Sequence, residues 1–280
     1  MSAGPAVDLH THSLCSDGLL TPSALVELAA LAGIGVLALT DHDTVAGLDE
    51  AQRAAKSAGV RLVPGVEISA SWHFQTVHVL GLWIDPTSPR LRFALGRQAD
   101  RRRVRMRKMC ASLSKAGLPG DALLAMVEEN STLPTRTHLA AALVAAGHVG
   151  GTDEAFRKYL GAGKRAHVGA DWPALGEVVG FIRESGGIAS LAHPMRYALS
   201  SGGRRRLLAD FTAAGGGALE VLTGANGIHH LQACAALAAN SGLQASVGSD
   251  FHNPQLTWNP LGRLAKLPDG IVPVWRDRNP

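Results

Sequence analysis

Seven short runs rich in Val, Ile and Leu recur along the chain, at 7–11, 36–40, 61–67, 76–83, 187–193, 219–222 and 244–249. Helical patterns separate most of them, and strand-length apolar runs alternating with helices specify a parallel barrel or sheet with crossover helices. Helices are expected at 22–32, with Thr21 as N-cap and Pro22 in the first turn, at 47–58 and at 172–185. Between 88 and 167 the strand signal vanishes. Helical patterns broken at 117–120, 130–134 and 147–152 replace it. A connection of roughly 80 residues is too long for a loop in a compact domain. The expectation is therefore an α/β barrel or sheet from 1–87 and 168–280, with 88–167 as a helical insertion placed to cap a site at its mouth.

At 280 residues, 46% of them hydrophobic, the chain can bury one large core. It lacks an export signal at its start and any apolar run of about 18 residues, so the cytoplasm is the expected compartment, with no membrane contact. Cys15, Cys110 and Cys234 are scattered without CxxC spacing, which argues against a disulfide framework or a thiolate zinc site. A net charge of +4 suits an anionic substrate without demanding one.

The polar residues at the ends of the apolar runs carry more information. Asp8, His10 and His12 alternate with Val7, Leu9 and Thr11, so on a strand they share one face. Asp17 follows in a turn. The sequence Thr40-Asp41-His42-Asp43 follows the second run, at the strand end where catalytic groups of such barrels collect. Glu67 closes the third run and His78 opens the fourth; an antiparallel hairpin would bring them together on one rim. His193 closes the fifth run, and Asp250 and His252 follow the seventh. His10, His12, Asp17, His42, Glu67, His78, His193, Asp250 and His252 exceed what one ion can bind. Imidazoles and carboxylates without thiolate suit two or three ions of manganese, iron or zinc, with Glu67 as a bridging group. His73, His148, His167, His229 and His230 are read as ordinary core or surface histidines.

Six stretches carry a resemblance: Asp8-Leu9-His10-Thr11-His12, Ser16-Asp17-Gly18, Thr40-Asp41-His42-Asp43, Gly65-Val66-Glu67, Ala192-His193-Pro194 and Gly248-Ser249-Asp250-Phe251-His252. Together they resemble the PHP (polymerase and histidinol phosphatase) superfamily. The resemblance covers nearly the whole chain and implies a distorted, TIM-like (β/α)7 barrel with a trinuclear site built from the nine residues. Thr135-Arg136-Thr137-His138, Phe156-Arg157-Lys158-Tyr159, Gly163-Lys164 and His193-Pro194-Met195-Arg196-Tyr197 are similar to a bacterial subgroup. That subgroup contains 3',5'-nucleotide bisphosphate phosphatases and 5'-to-3' exoribonucleases of the RNase AM type. The likeness implies removal of the 3'-phosphate from nucleoside 3',5'-bisphosphates, or trimming of RNA 5' ends and short oligonucleotides. It also implies manganese, about three ions per chain, with Fe2+, Zn2+ and Mg2+ as the other candidates. Met195 stands where relatives more often carry glycine and is expected to crowd the pocket.

On this reading Glu67 and Asp250 are catalytic through the ions. Asp43 would pass a proton to the leaving group, and Asp8 and Asp43 would orient imidazoles. Arg136, His138, Lys164 and Arg196 would grip a second phosphate, to which a planar guanidinium offers paired donors. Arg97, Arg101, Arg105 and Lys108 share one helical stripe, read as a solvated face in preference to an RNA path, and Arg204 to Arg206 are read alike. The partner is a nucleotide or an RNA 5' end, with no obligate protein partner. The alternatives are a histidinol-phosphate-type small-metabolite phosphatase and a non-catalytic PHP module.

Overall fold

The computed structural model describes residues 6–224, 227–256 and 259–278, so residues 1–5 of the expected barrel span lie outside it. In chain order the elements are β1 (Ala6–Asp8), α1 (Pro22–Leu31), β2 (Ile34–Leu39), α2 (Leu48–Ala58), β3 (Arg61–Trp72) and β4 (Gln75–Leu82). There follow α3 (Pro89–Lys115), α4 (Gly120–Asn130), α5 (Arg136–Ala145), α6 (Thr152–Ala155) and a π-helical turn, Phe156–Leu160. The chain then forms α7 (Leu175–Glu184), β5 (Ile188–Leu191), α8 (Ser201–Ala213), β6 (Ala218–Thr223), α9 (Ile228–Asn240) and β7 (Gln244–Gly248).

The seven strands pair in sequence order. The β1–β2, β2–β3, β5–β6 and β6–β7 pairs are parallel, whereas β4 runs antiparallel to both β3 and β5. A hydrogen bond from Leu9 N to Val247 O and a parallel bridge between Thr11 and Phe251 bring the two sheet edges together, so the barrel is nearly closed. This is the expected α/β barrel.

Local chemistry explains the element ends. The Thr21 hydroxyl accepts from Ala24 N at the start of α1, and Gly59, at φ 68°, ends α2 in the left-handed conformation. Helix α7 starts three residues later than expected, because Trp172 and Pro173 run beside β3, where Pro173 O accepts from Ser71 N. Strand β1 is shorter than expected: after Asp8 the chain stays in line but bonds alternately to neighbours on both sides. Strand β3 is longer. Ser69, Ala70, Ser71 and Trp72 continue the ladder against His78, Val77, Thr76 and Gln75, so the hairpin reaches past the barrel rim.

Apolar packing falls into separate clusters. Leu9, Val36, Ala38, Val63, Leu80 and Ala218 belong to one core, and Leu25, Leu37, Ile68, Val178, Leu191, Leu219 and Phe211 to a second. Met106, Met109, Leu113, Leu123, Leu139, Leu143 and Leu160 form a further core that belongs to 106–166 alone. Leu91 and Leu95, in the first turns of α3, join the second core. Helix α3 therefore roots that small helical body in the barrel.

Candidate metal centre

Because β4 is reversed, its first residues lie on the same rim as the C-terminal ends of the parallel strands. All nine predicted ligands meet there. The fully buried Glu67 is at their centre. Its Oε1 is 2.9 Å from His78 Nδ1 and 3.0 Å from His193 Nε2; its Oε2 is 2.8 Å from His42 Nδ1 and 3.4 Å from Nε2 of both His10 and His12. Asp250 Oδ1 lies 3.3 Å from the same two nitrogens of His10 and His12, and Asp17 Oδ1 lies 3.4 Å from His252 Nε2 and 3.7 Å from His42 Nε2. The ligand-type atoms of His12, Asp17, His42 and His252, of His10, His12 and Glu67, and of His42, Glu67 and His78 each fall within 4.8 Å of one another.

The surrounding backbone is strained and pinned. Asp43, His193 and Asp250 have φ of 50°, 29° and 53°, a region that non-glycine residues seldom adopt. Each has its N–H fixed: Asp43 N donates to Glu67 O, Asp250 N to His10 O, and His193 N to the Glu220 carboxylate at 2.7 Å. Glu220 also accepts from His10 Nδ1 at 2.8 Å, which leaves Nε2 of that ring to face Glu67 and Asp250. Asp41 accepts from Ser13 N, Ser13 Oγ and Ser16 Oγ and so ties down the loop carrying Asp17. Asp41 and Glu220 both lie in stretches that carry the family resemblance, Thr40-Asp41-His42-Asp43 and Gly217-Ala218-Leu219-Glu220-Val221, but the sequence assigns neither a role, since the partners of a buried carboxylate are set by the fold.

The donor set fits divalent cations. Burial acts to raise the Glu67 carboxyl, but His42, His78 and His10 outweigh it and hold it well below the usual range. Asp17 and Asp250 are likewise held low, against burial, by His42 and His252 and by His10, His12 and His252. Burial, aided by His252 and His42, pushes His12 down to about 3. Against burial, Glu220, Asp250 and Glu67 raise His10, and Asp17 raises His252 to about 9. Without cations the carboxylates are therefore balanced by imidazolium charge that bound metal would replace. Asp17 Oδ1 and Glu67 Oε2 are buried without a hydrogen-bond donor, and the 2.8 Å approach of His42 to Glu67 Oε2 lacks hydrogen-bond geometry. Carboxylate oxygens without donors, each set among imidazole nitrogens in its own cluster, are what bound cations satisfy.

The sequence model of the PHP domain matches residues 8–158, more than half of the chain. This chain belongs to the PHP-domain family. A 5'-3' exoribonuclease of Haemophilus influenzae is 42% identical over 270 residues, covering 96% of this PHP protein and 97% of its own length. A 3',5'-nucleoside bisphosphate phosphatase of Chromobacterium violaceum is 42% identical over 273 residues, covering 97% and 95%. A solved structure from Chromobacterium violaceum, described as an amidohydrolase with bound sulfate and no metal, superimposes with a TM-score of 0.91 at 41% identity, covering 97% of this chain and 95% of its own.

A cleft of about 670 Å³ opens beside the PHP centre, lined by Asp17, His42 and His78 on the barrel side and by Arg102, Arg105 and Arg136 from the insertion. Arg136 stacks over Phe156 at 5.7 Å. His138 does not join the lining; its Nδ1 accepts from Thr135 N in a capping box that starts α5. Lys164 is exposed on a loop whose Ala162 and His167 line the cleft, but is not itself part of the lining. Arg196 pairs with Asp250. Met195 leaves the cleft clear, because it packs on the second core and borders a separate cavity of about 130 Å³ with Arg196 and Thr223.

The expected role of Asp43 needs correction. Its Oδ1 accepts from Ser69 N and Gln98 Nε2, and its Oδ2 takes both Nε and an Nη of Arg102 at 2.7 and 2.6 Å. With every lone pair engaged it can neither orient an imidazole nor carry a proton to a leaving group. Asp8 also touches no imidazole ring: it accepts from the backbone N–H groups of His10 and Ser249. Arg102 was missed because it lies off the basic stripe of α3. Arg97, Arg101, Arg105 and Lys108 do share one groove, against 168–172, but Arg105 also borders the cleft with His73 and His167. Burial and the charges of Arg136 and Arg102 push the Arg105 guanidinium down to about 10.

Proposed function

We propose that this chain is a divalent-metal-dependent phosphoesterase that takes a 5'-phosphorylated nucleoside and breaks the P–O bond at its 3' oxygen. One observation carries the reading: a single cleft holds cation ligands on one wall and three guanidinium groups on the other. A substrate with two phosphates fits both walls at once. Removing the terminal phosphate of a nucleoside 3',5'-bisphosphate and trimming the first nucleotide from a 5'-phosphorylated RNA break the same bond, which unites the activities named for the two relatives above.

The cations, manganese in this proposal, are held by His10, His12, Asp17, His42, Glu67, His78, His193, Asp250 and His252. When bound, such ions activate water and offset the negative charge that develops on phosphoryl oxygens. The protein's own residues supply position. Glu67 joins the ring through both oxygens, and Glu220 fixes the His10 tautomer. Arg102, oriented by Asp43, acts with Arg105 and Arg136 on the 5'-phosphate, and residues 88–167 serve as the substrate-capping subdomain. Among the described residues no helix is long and apolar enough to cross a membrane, and we place the reaction in the cytoplasm.

The test is a substrate panel given to manganese-loaded protein: adenosine 3',5'-bisphosphate, a 5'-phosphorylated oligoribonucleotide and histidinol phosphate. The expected result is phosphate or mononucleotide release from the first two, with histidinol phosphate a poor competitor. Inactivity on both nucleotides would overturn the proposal. Glu67→Ala is expected to lose bound metal and activity together.

A further inference from the structure

The hairpin of β3 and β4 is braced beyond the rim from several directions. Trp72 Nε1 donates to Asp210 in α8 at 2.8 Å, Ser71 N donates to Pro173 O at 2.8 Å, and the Gln75 side chain reaches Ala198 O. His73 makes the turn at φ 50°, with its ring edge-on to Trp72 at 4.5 Å between centroids. Phe74, at the tip, is packed against nothing: its relative exposure is 106%. A rigid support thus presents a bare aromatic ring to water, an arrangement that does nothing for folding.

Its position gives the ring a use. Phe74 lines the same cleft as Asp17, His42, His78, Arg102 and Arg136, and no other exposed large apolar side chain among the described residues does so. On the proposed function, the nucleoside lies between the cation ligands and the arginines, and its base must lie against what else borders that cavity. We propose that Phe74 is the stacking platform for the base of the 5'-terminal nucleotide. A phenyl face accepts any base, so the platform supplies affinity without choosing among sequences. The brace through Trp72, Ser71 and Gln75 fixes the hairpin that carries the ring, so that only the side chain's own rotation is left to order on binding.

The inference rests on the nucleotide reading of the site, and the experiment separates the two. Wild type, Phe74→Ala and Phe74→Trp are compared on adenosine 3',5'-bisphosphate and on ribose 3,5-bisphosphate, which carries both phosphates and no base. Phe74→Ala is expected to raise KM for the nucleotide about tenfold, the scale of one base–aromatic stack, with Phe74→Trp close to wild type. KM for the base-free compound should respond to neither change. An unchanged nucleotide KM in Phe74→Ala, or an equal rise for both compounds, would overturn the platform while leaving the phosphoesterase in place. A wild type inert towards both compounds would remove the proposed function and the platform with it.

Discussion

The carboxylate of Asp43 and the guanidinium of Arg102 form a buried pair with contacts of 2.6 and 2.7 Å, joining the turn after β2 to the helix that roots the insertion. Breaking a buried pair leaves one charge without a partner, and removal of either member costs about 3–5 kcal/mol. Asp43→Ala should therefore lower stability to urea by that order and raise KM for a two-phosphate substrate as Arg102 loses its orientation. Asp43→Ala combined with Arg102→Met should recover stability and leave KM high. A pH–rate profile that loses its basic limb in Asp43→Asn would restore the proton-donor role.

Glu220 holds two candidate ligands at once, His10 through the ring and His193 through the backbone. Loss of such a support commonly weakens metal binding 10- to 100-fold. Glu220→Gln should show a drop of about that size in manganese affinity by calorimetry, with a near-native melting curve for the metal-free protein. Unchanged affinity would assign Glu220 to packing alone.

Arg136→Ala should keep the full metal content and raise KM for adenosine 3',5'-bisphosphate by about 10- to 100-fold, the scale of one or two charged hydrogen bonds. Loss of metal in this variant would contradict a phosphate role. The same change should have little effect on an aryl phosphate with a single phosphoryl group.

Burial raises the Asp8 carboxyl from 3.8 to about 6, against the N–H groups of Ser249 and His10, and Asp8 Oδ2 has no partner. A folded-state pKa above the unfolded one means that protonation favours the fold. In metal-stripped protein this contribution is complete below pH 3.8 and lost as pH rises through about 6. Asp8→Asn should flatten that part of the stability curve between pH 4 and 7, measured by denaturant titration across the window. An unchanged curve would remove the linkage.

Burial also pushes the thiols of Cys110 and Cys234 up to about 11. Both should resist iodoacetamide at pH 8 in folded protein and react after unfolding, as mass spectrometry of the adducts would report.

Much of this was legible in the sequence because barrel strands put chemistry at their ends. His10 and His12 read as one face by alternation, and Glu67 and His78 read as neighbours once a hairpin was supposed. Ser69 and Ser71 hid the length of β3, since their polar side chains resemble loop positions although their backbones continue the ladder. Arg102 was harder still. A helical wheel singles out Arg97, Arg101, Arg105 and Lys108, and only the fold brings Asp43 against Arg102. His138 carries a role that the motif did not suggest: its Nδ1 accepts from Thr135 N in the capping box that starts α5.

The apolar interior that 106–166 keeps to itself has an evolutionary consequence. On the capping role proposed above, substitutions inside that unit would change which ligand is admitted while the imidazole ring beneath keeps its spacing. New preferences can accumulate in the one without retuning the other, and a single catalytic rim can serve a lineage of enzymes that differ in what they accept.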